Sequence, residues 1–308
     1  MTPLLLIDTD PGVDDALAIL MAHRHARIAG LGIAAGNVGL GHTVANALKL
    51  CDLLGAEIPV FPGCPLPLVH TATDAAHVHG ADGFGDTGYL PSCRAAAGEH
   101  AALAILRLSR EHAGALTLVA LAPLTNLALA LRLDPTLPQR VPRLVVMGGA
   151  VSGRGNTSVA AEFNVGFDPE AAAIVFSSWP RFELVDWELT MRHALDFERC
   201  ESWLAADDPR ARFYAAISRK VRGFSRERGR PSVLAADALA MAVALDPGLV
   251  TAAAERHVAV ELGGALTRGA TVVDWDRRGG RTANARIVMA VDQARFEALV
   301  AGALGATA

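Results

Sequence analysis

Short apolar runs alternate along the chain with longer stretches in which apolar residues recur at helical spacing. This alternation predicts an α/β fold, with an open and mostly parallel sheet flanked by helices around a Rossmann-like core. The predicted strands are 4–8, 31–35, 116–121, 144–147, 182–186, 257–262 and 270–273. The predicted helices are about 15–25, 43–54, 99–112, 124–133, 169–177, 209–221 and one from 292. We expect a single domain over 1–308, with mobile loops at about 63–88 and 222–236.

Composition and charge indicate which partners and which cellular location to expect. The chain is 52% hydrophobic but has no apolar run near 18 residues, so we expect a soluble protein without a membrane partner. Its net charge of −4 argues against a nucleic-acid partner. The four cysteines are scattered, and the start carries no basic region typical of a signal peptide. These features favour a cytoplasmic location.

Four carboxylates lie within eight residues, directly after a run of four apolar side chains: Asp8, Asp10, Asp14 and Asp15. Carboxylates at this density repel one another, and a hard divalent cation removes that repulsion because it prefers oxygen ligands. The pattern predicts a metal site where the strand turns into a helix. Asp8, which precedes the turn, is expected to be a structural hydrogen-bonding group.

Other predicted strands also lead into polar residues. Asn37 follows the second strand, and Asn156, Glu162 and Asn164 follow the strand at 144–147. Asp237 begins an apolar helix late in the chain. Because ligands of open α/β sheets bind beyond the carboxyl ends of the strands, we expect these side chains to line one crevice. Such a crevice suits a cation together with a polyhydroxylated ligand.

Six segments carry a family resemblance: DTDPGVDDALAIL, AAGNV, HVHGADGFG, LAPLTNLALAL, VVMGGA and GNTSVAAEFNVGFDPEAA. In order and spacing they resemble the signatures of the inosine–uridine nucleoside hydrolases. The resemblance implies the nucleoside hydrolase fold and a Ca²⁺-dependent enzyme of purine or pyrimidine salvage. Such an enzyme hydrolyses the N-glycosidic bond of a small-molecule ribonucleoside, releasing ribose and free base. It also implies a homodimer or homotetramer.

The resemblance also assigns roles to individual residues. Ca²⁺ would be bound by the carboxylates of Asp10, Asp15 and Asp237 and by the backbone carbonyl of Leu121. Asp10 would also be the general base that deprotonates the attacking water. The substrate would be held by eight side chains: Asp14, Asn37, Asn164 and Asp237 on the 2′/3′ side of the ribose, Asn156 and Glu162 at the 5′-hydroxyl, Met147 against the ribose, and Phe224 against the base.

One position departs from the family pattern. Well-studied relatives have a His before the late calcium-binding Asp, placed to protonate the leaving base, whereas this chain has Ala236. We expect His79 to be the substitute catalytic proton donor. An arginine cluster comprising Arg222, Arg226, Arg228 and Arg230 comes second, since it could hydrogen-bond a pyrimidine carbonyl without transferring a proton. Two alternatives stay open: a nucleoside with an easily departing base, such as nicotinamide riboside, and a degenerate homologue that binds ribose or nucleoside without turnover.

Overall fold

The strands and helices described below belong to a computed structural model, which describes residues 2–306. The strands are β1 (Leu4–Thr9), β2 (Arg27–Ile33), β3 (Val60–Pro62), β4 (Leu116–Ala120), β5 (Arg143–Met147), β6 (Phe182–Val185), β7 (Leu195–Asp196), β8 (Ser232–Val233), β9 (Val250–Arg256), β10 (Val258–Val260), β11 (Thr271–Val273) and β12 (Ala285–Val291). The helices are α1 (Val13–His25), α2 (Leu40–Leu54), α3 (Ala76–His79), α4 (Ala101–Glu111), α5 (Thr125–Leu133), α6 (Leu137–Arg140), α7 (Phe163–Phe167), α8 (Pro169–Ser178), α9 (Trp187–Arg192), α10 (Phe197–Leu204), α11 (Pro209–Ile217), α12 (Arg219–Glu227), α13 (Ala236–Leu245) and α14 (Gln293–Ala303).

Eight strands form the central sheet in the order β3-β2-β1-β4-β5-β6-β12-β9. Every neighbouring pair is parallel except the last, in which β9 runs antiparallel to β12 at the edge. The expected open, mostly parallel sheet flanked by helices is therefore confirmed. Two small antiparallel sheets, β10-β11 and β7-β8, lie outside it.

The central strands are apolar on both faces because helices cover both. Successive side chains of β1 point to opposite faces, so Leu5 and Ile7 join one hydrophobic core and Leu6 joins the other. Helix α1 is buried from Ala16 to Ala22 and packs against α13, where alanines on both helices allow close approach. A strand buried on both faces reads as a continuous apolar run, as β1 does.

The strand order reverses direction beside β1. The chain leaves β1 for β2 and β3 on one side and then returns to β4 on the other side. The carboxyl ends of β1 and β4 are direct neighbours, with Asp8 opposite Ala120. Ligand crevices of open parallel sheets form at such switch points. The predicted carboxylates lie where β1 passes into α1: Asp8 near the end of β1, Asp10 in the connecting loop, and Asp14 and Asp15 in the first turn of α1.

Several elements differ from the sequence-based expectations. The segment expected as a loop at 222–236 begins inside α12, because arginine is a good helix former and its polarity does not exclude a helix. The expected helix at 209–221 is two helices, α11 and α12. The strands β9 and β12 were not predicted, and the expected strands at 257–262 and 270–273 pair in a separate hairpin. Among residues 2–306, no helix combines the length and apolar character needed to cross a bilayer.

Candidate active site

The loop between β1 and α1 is held together by the carboxylate of Asp15. This residue occupies the third position of α1, and its Oδ2 accepts a hydrogen bond of 3.0 Å from the backbone N–H of Gly12, the N-cap. Its Oδ1 accepts from the hydroxyl of Thr9 and from the backbone N–H of Asp10. Asp15 therefore fixes the turn that carries the other carboxylates.

Asn37 connects this turn to the end of β2. Its backbone N–H donates to Asp10 Oδ2 at 2.6 Å. Its side-chain Nδ2 donates to the carbonyl oxygen of Asp10 at 3.1 Å and to Asp15 Oδ2 at 3.0 Å. Asp10 lies so close to the end of β2 that there is no room for a side chain at Gly36, where a Cβ would lie 2.1 Å from Asp10 Oδ2. The two neighbouring strand ends thus hold Asp10 in one orientation.

Three carboxylates converge beside this turn. Oxygen atoms of Asp14, Asp15 and Asp237 all lie within 4.8 Å of one another. Burial raises the pKa of Asp14 to about 6 and raises that of Asp15, with the charge of Asp14 adding to the effect on Asp15. Burial and the charges of Asp14, Asp15 and the neighbouring Asp10 raise the pKa of Asp237 well above its usual range.

Asp10 lies in the same environment, with only 1% of its surface exposed. Burial and the charge of Asp15 raise its pKa well above the usual range. Four buried carboxylates with no cationic side chain between them suit a divalent cation, which would offset both their desolvation and their mutual repulsion. The donor set therefore fits a metal ion with oxygen ligands.

The carboxylates border a cavity of about 390 Å³ at the carboxyl edge of the sheet. The structure places eleven of the twelve predicted site residues in its wall: Asp10, Asp14, Asn37, His79, Leu121, Met147, Asn156, Glu162, Asn164, Phe224 and Asp237. Asp15 is the exception, because it is fully buried behind the turn. The predicted crevice is thus a real cavity of a size typical of small-molecule sites.

The opposite wall comes from the ends of β4 and β5. Asn164 Nδ2 donates to the carbonyl oxygen of Leu121 at 2.6 Å and lies 3.2 Å from Met147 Sδ. Glu162 caps α7, accepting from the backbone N–H groups of Asn164 and Val165, and it also accepts from Gly149 N–H at 2.8 Å. Burial raises the pKa of Glu162 to about 7. Glu162 therefore has a structural role in addition to its place in the cavity wall.

His79 lies on the loop side of the cavity. Its Nδ1 accepts a hydrogen bond of 3.2 Å from the backbone N–H of Val13, so a neutral ring carries its proton on Nε2. Burial lowers the pKa of His79 to about 4. A neutral imidazole donates hydrogen bonds, and the general-acid role expected for His79 stays a prediction.

Sequence reasoning missed several residues of the site. Thr9 and Asn126 are buried residues that hold its neighbouring groups in place by hydrogen bonds. Asn126 Nδ2 donates to Asp8 Oδ1 at 2.9 Å, and Asn126 Oδ1 accepts from Cys64 N–H at 2.8 Å. Asp8 is buried and accepts this bond, as the structural interpretation of Asp8 predicts. Trp187 lines the cavity from the start of α9, a helix that the sequence analysis did not predict.

Ala236, at the first position of α13, also lines the cavity and is 5% exposed. The departure noted in the sequence therefore lies at the site itself, directly beside Asp237. Its methyl group offers neither a proton nor a hydrogen bond to a ligand. The remaining polar groups must supply whatever help a leaving group receives.

Comparison with known proteins identifies the family. The chain matches the family model of inosine-uridine preferring nucleoside hydrolases over residues 5–298, and it belongs to that family. It is 35% identical to the inosine-uridine preferring nucleoside hydrolase of Leishmania major over 97% of this chain and 96% of that protein. It is 36% identical to the non-specific ribonucleoside hydrolase RihC of Escherichia coli strain K12, over 97% of each chain. The structural match to a solved inosine-guanosine nucleoside hydrolase covers 100% of both chains, with a TM-score of 0.92 and 32% identity.

The expected nucleoside hydrolase activity is confirmed at the level of the family. The chain is a nucleoside hydrolase, an enzyme that splits ribonucleosides into ribose and free base. The comparisons favour this catalytic interpretation over a non-catalytic binding homologue. The aspartate cluster agrees with the metal dependence expected of the family.

Proposed function

We propose that this chain is a Ca²⁺-dependent ribonucleoside hydrolase in which Asp10 is the general base. The observation that carries the proposal is the convergence of the Asp14, Asp15 and Asp237 oxygens within 4.8 Å of one another, beside Asp10 and at the edge of one cavity. Ca²⁺ accepts seven or eight oxygen ligands in flexible geometry, which suits carboxylates, a carbonyl and sugar hydroxyls together. Asp10, Asp15, Asp237 and the carbonyl oxygen of Leu121 would hold it.

The chain's own residues would divide the remaining work. Asp10, oriented by Asn37, would accept the proton of the attacking water. Bound Ca²⁺ would supply a Lewis acid that makes this water easier to deprotonate. Asp14, Asn37 and Asn164 would bind the 2′- and 3′-hydroxyls, with Asp237 shared between sugar and ion. Asn156 and Glu162 would bind the 5′-hydroxyl, and Met147 would pack against the ribose.

The transition state of such a reaction resembles an oxocarbenium ion, as in glycoside cleavage. The carboxylate and amide oxygens of the cavity would stabilise positive charge that develops on the ribose. Binding at each hydroxyl would also exclude deoxyribonucleosides, because a missing hydroxyl leaves a buried partner without a hydrogen bond. On the outer side, Phe224 would contact the base, and His79 would donate a hydrogen bond through Nε2.

A reducing-sugar assay over a panel of ribonucleosides tests this proposal. We expect ribose release that a chelator abolishes and that Ca²⁺ restores better than Mg²⁺. Asp10→Asn should lower kcat by at least about 100-fold at saturating Ca²⁺, since general bases contribute factors of that order. Asp74→Asn is the matched control, because Asp74 lines the cavity but lies outside the cluster. Activity that survives complete chelation would overturn the proposal.

We also propose that copies of the chain associate as a homodimer or homotetramer. Four large apolar side chains are exposed around the β10-β11 hairpin: Leu262, Leu266, Val272 and Trp275. Exposed apolar groups that lie near one another favour association. Light scattering of the purified protein measures this directly, and a monomeric mass at micromolar concentration would contradict it. The cytoplasmic location and the absence of nucleic-acid and membrane partners stay predictions.

A further inference from the structure

The outer wall of the cavity is built by α3 and α12, which pack against each other. The rings of His77 and Phe224 meet edge to face with 6.0 Å between their centroids. An ion pair of 2.8 Å between Lys220 and Asp86 joins the same two segments of chain. Because the ribose-binding groups lie at the strand ends, a base attached to that ribose would face this outer wall.

A tight turn ends α12 at this wall. Gly229 adopts φ of +64°, a conformation that glycine enters without strain. Its N–H donates to the carbonyl oxygen of Arg226 at 2.9 Å, and the N–H of Arg230 donates to that of Ser225 at 3.0 Å. These two bonds define a Schellman motif. The residues on either side of the glycine, Arg228 and Arg230, both line the cavity.

Both guanidinium groups lack an acceptor. Neither forms an ion pair or a side-chain hydrogen bond with any residue of the described chain. The guanidinium carbon of Arg228 lies 3.6 Å from the centroid of the Phe224 ring, which orients it. The neighbouring arginines differ, because Arg222 and Arg226 both pair with Glu201. The cavity therefore has two cationic donors whose hydrogen-bonding capacity is unused, and Phe224 orients the first of them.

We propose that Arg228 and Arg230 bind the carbonyl oxygens of the leaving base and stabilise it as an anion, in place of a general acid. The inference rests on the proposed function and adds the leaving-group half of the same site. As the bond between C1′ and the base nitrogen breaks, its electron pair passes to the base and spreads onto its carbonyl oxygens. The water oxygen bonds to C1′ and one of its protons passes to Asp10. The departed base takes a proton from solvent, and Asp10 returns its proton to solvent. The sum is nucleoside plus water giving ribose plus base.

This arrangement favours one class of base. A guanidinium has only hydrogen-bond donors, so it pairs with a carbonyl oxygen and not with an exocyclic amino group. Inosine carries a carbonyl oxygen at position 6 of the purine ring, where adenosine carries an amino group. We therefore expect bases with carbonyl groups, such as hypoxanthine and uracil, to leave faster than adenine. The position of Ala236 makes this help necessary, because the side chain there supplies no proton.

Arginine-to-methionine variants test the inference, since methionine keeps much of the side-chain length and removes the charge and the donors. Arg228→Met and Arg230→Met should each lower kcat/KM for inosine by about 100-fold, mostly through kcat, which is the lower end of the loss seen on removal of one oxyanion donor. With p-nitrophenyl ribofuranoside, whose phenolate departs without protonation, the loss should stay below about threefold. Arg226→Met is the matched control and should change both substrates by less than about twofold.

The outcomes separate this inference from the proposed function. Selective loss on inosine, with partial recovery in Arg228→Lys, supports it. Equal loss on both substrates would mean a general structural role, and no loss would mean no role; either result overturns it while leaving the hydrolase function intact. A wild-type enzyme that cleaves neither substrate would overturn both.

Discussion

Asp237→Asn provides the sharpest test of the aspartate cluster, because it should stabilise the metal-free protein. Asp237 is 3% exposed, and its oxygens lie within 4.8 Å of those of Asp14 and Asp15. At an effective dielectric constant of about 20, two unit charges at that separation repel by about 3.5 kcal/mol. The substitution removes two of the three repulsions within this triangle. Partial protonation of the cluster already relieves part of that repulsion, so we expect a gain of about 2 to 4 kcal/mol in unfolding free energy at pH 8.

The pH dependence has a definite sign. Burial raises the folded-state pKa of Asp14 to about 6 and that of Asp237 well above its usual range. A carboxyl group whose pKa is higher in the folded state than in the unfolded state costs no stability at pH values below the unfolded-state pKa. Its cost to the free energy of unfolding grows as pH rises toward the folded-state pKa. The advantage of Asp237→Asn in chelator should therefore be largest at pH 8 and should shrink toward pH 4.

Urea denaturation with a chelator and with Ca²⁺ measures these effects. Saturating Ca²⁺ should narrow this difference, since an ion at 100 times its Kd adds about 2.7 kcal/mol to the wild type and less to the variant. Asp74→Asn controls for loss of a charge in the cavity wall outside the cluster. The reasoning is refuted if chelated Asp237→Asn is less stable than the chelated wild type at pH 8, or if Ca²⁺ stabilises both equally.

Three further predictions follow from close contacts and burial. Gly12→Ala would place a methyl carbon 2.7 Å from two cavity side chains, so kcat/KM should fall at least about tenfold, whereas Gly39→Ala, with open space around it, should retain activity. Asn126→Ala leaves buried partners at three strand ends without hydrogen bonds and should lower the unfolding free energy by about 1 to 3 kcal/mol in urea titrations. Burial raises the pKa of the Cys64 thiol to about 12, so a disulfide reagent at pH 8 should modify exposed Cys93 and leave Cys64 unmodified until the protein unfolds.

The residues of the proposed metal and ribose side could be placed together from the sequence because most of them are close along the chain or follow neighbouring strands. Asp10, Asp14 and Asp15 lie in one turn, and the direction of a parallel sheet brings the ends of neighbouring strands to the same edge. Asp237 is far away in sequence, but it begins an apolar helix that packs against α1. Alternating strand and helix patterns are enough to place such residues. The sequence analysis did not predict the strands β9 and β12. This did not affect the predicted site, because both strands lie at the edge of the sheet beyond β6.

The leaving-group side could not be predicted, because it depends on which charges find partners. Composition marks one arginine cluster between 222 and 230, whereas the structure divides it in two. Arg222 and Arg226 are four residues apart on α12, so they share a helix face and both reach Glu201 of α10. Arg228 and Arg230 follow the point where Gly229 reverses the chain, and that reversal directs them to the cavity. Helical spacing thus pairs two of the arginines with Glu201, and the turn directs the other two to the cavity. Gly229→Ala should therefore lower kcat/KM for inosine, measured as ribose release, while the Glu201 pairs are preserved.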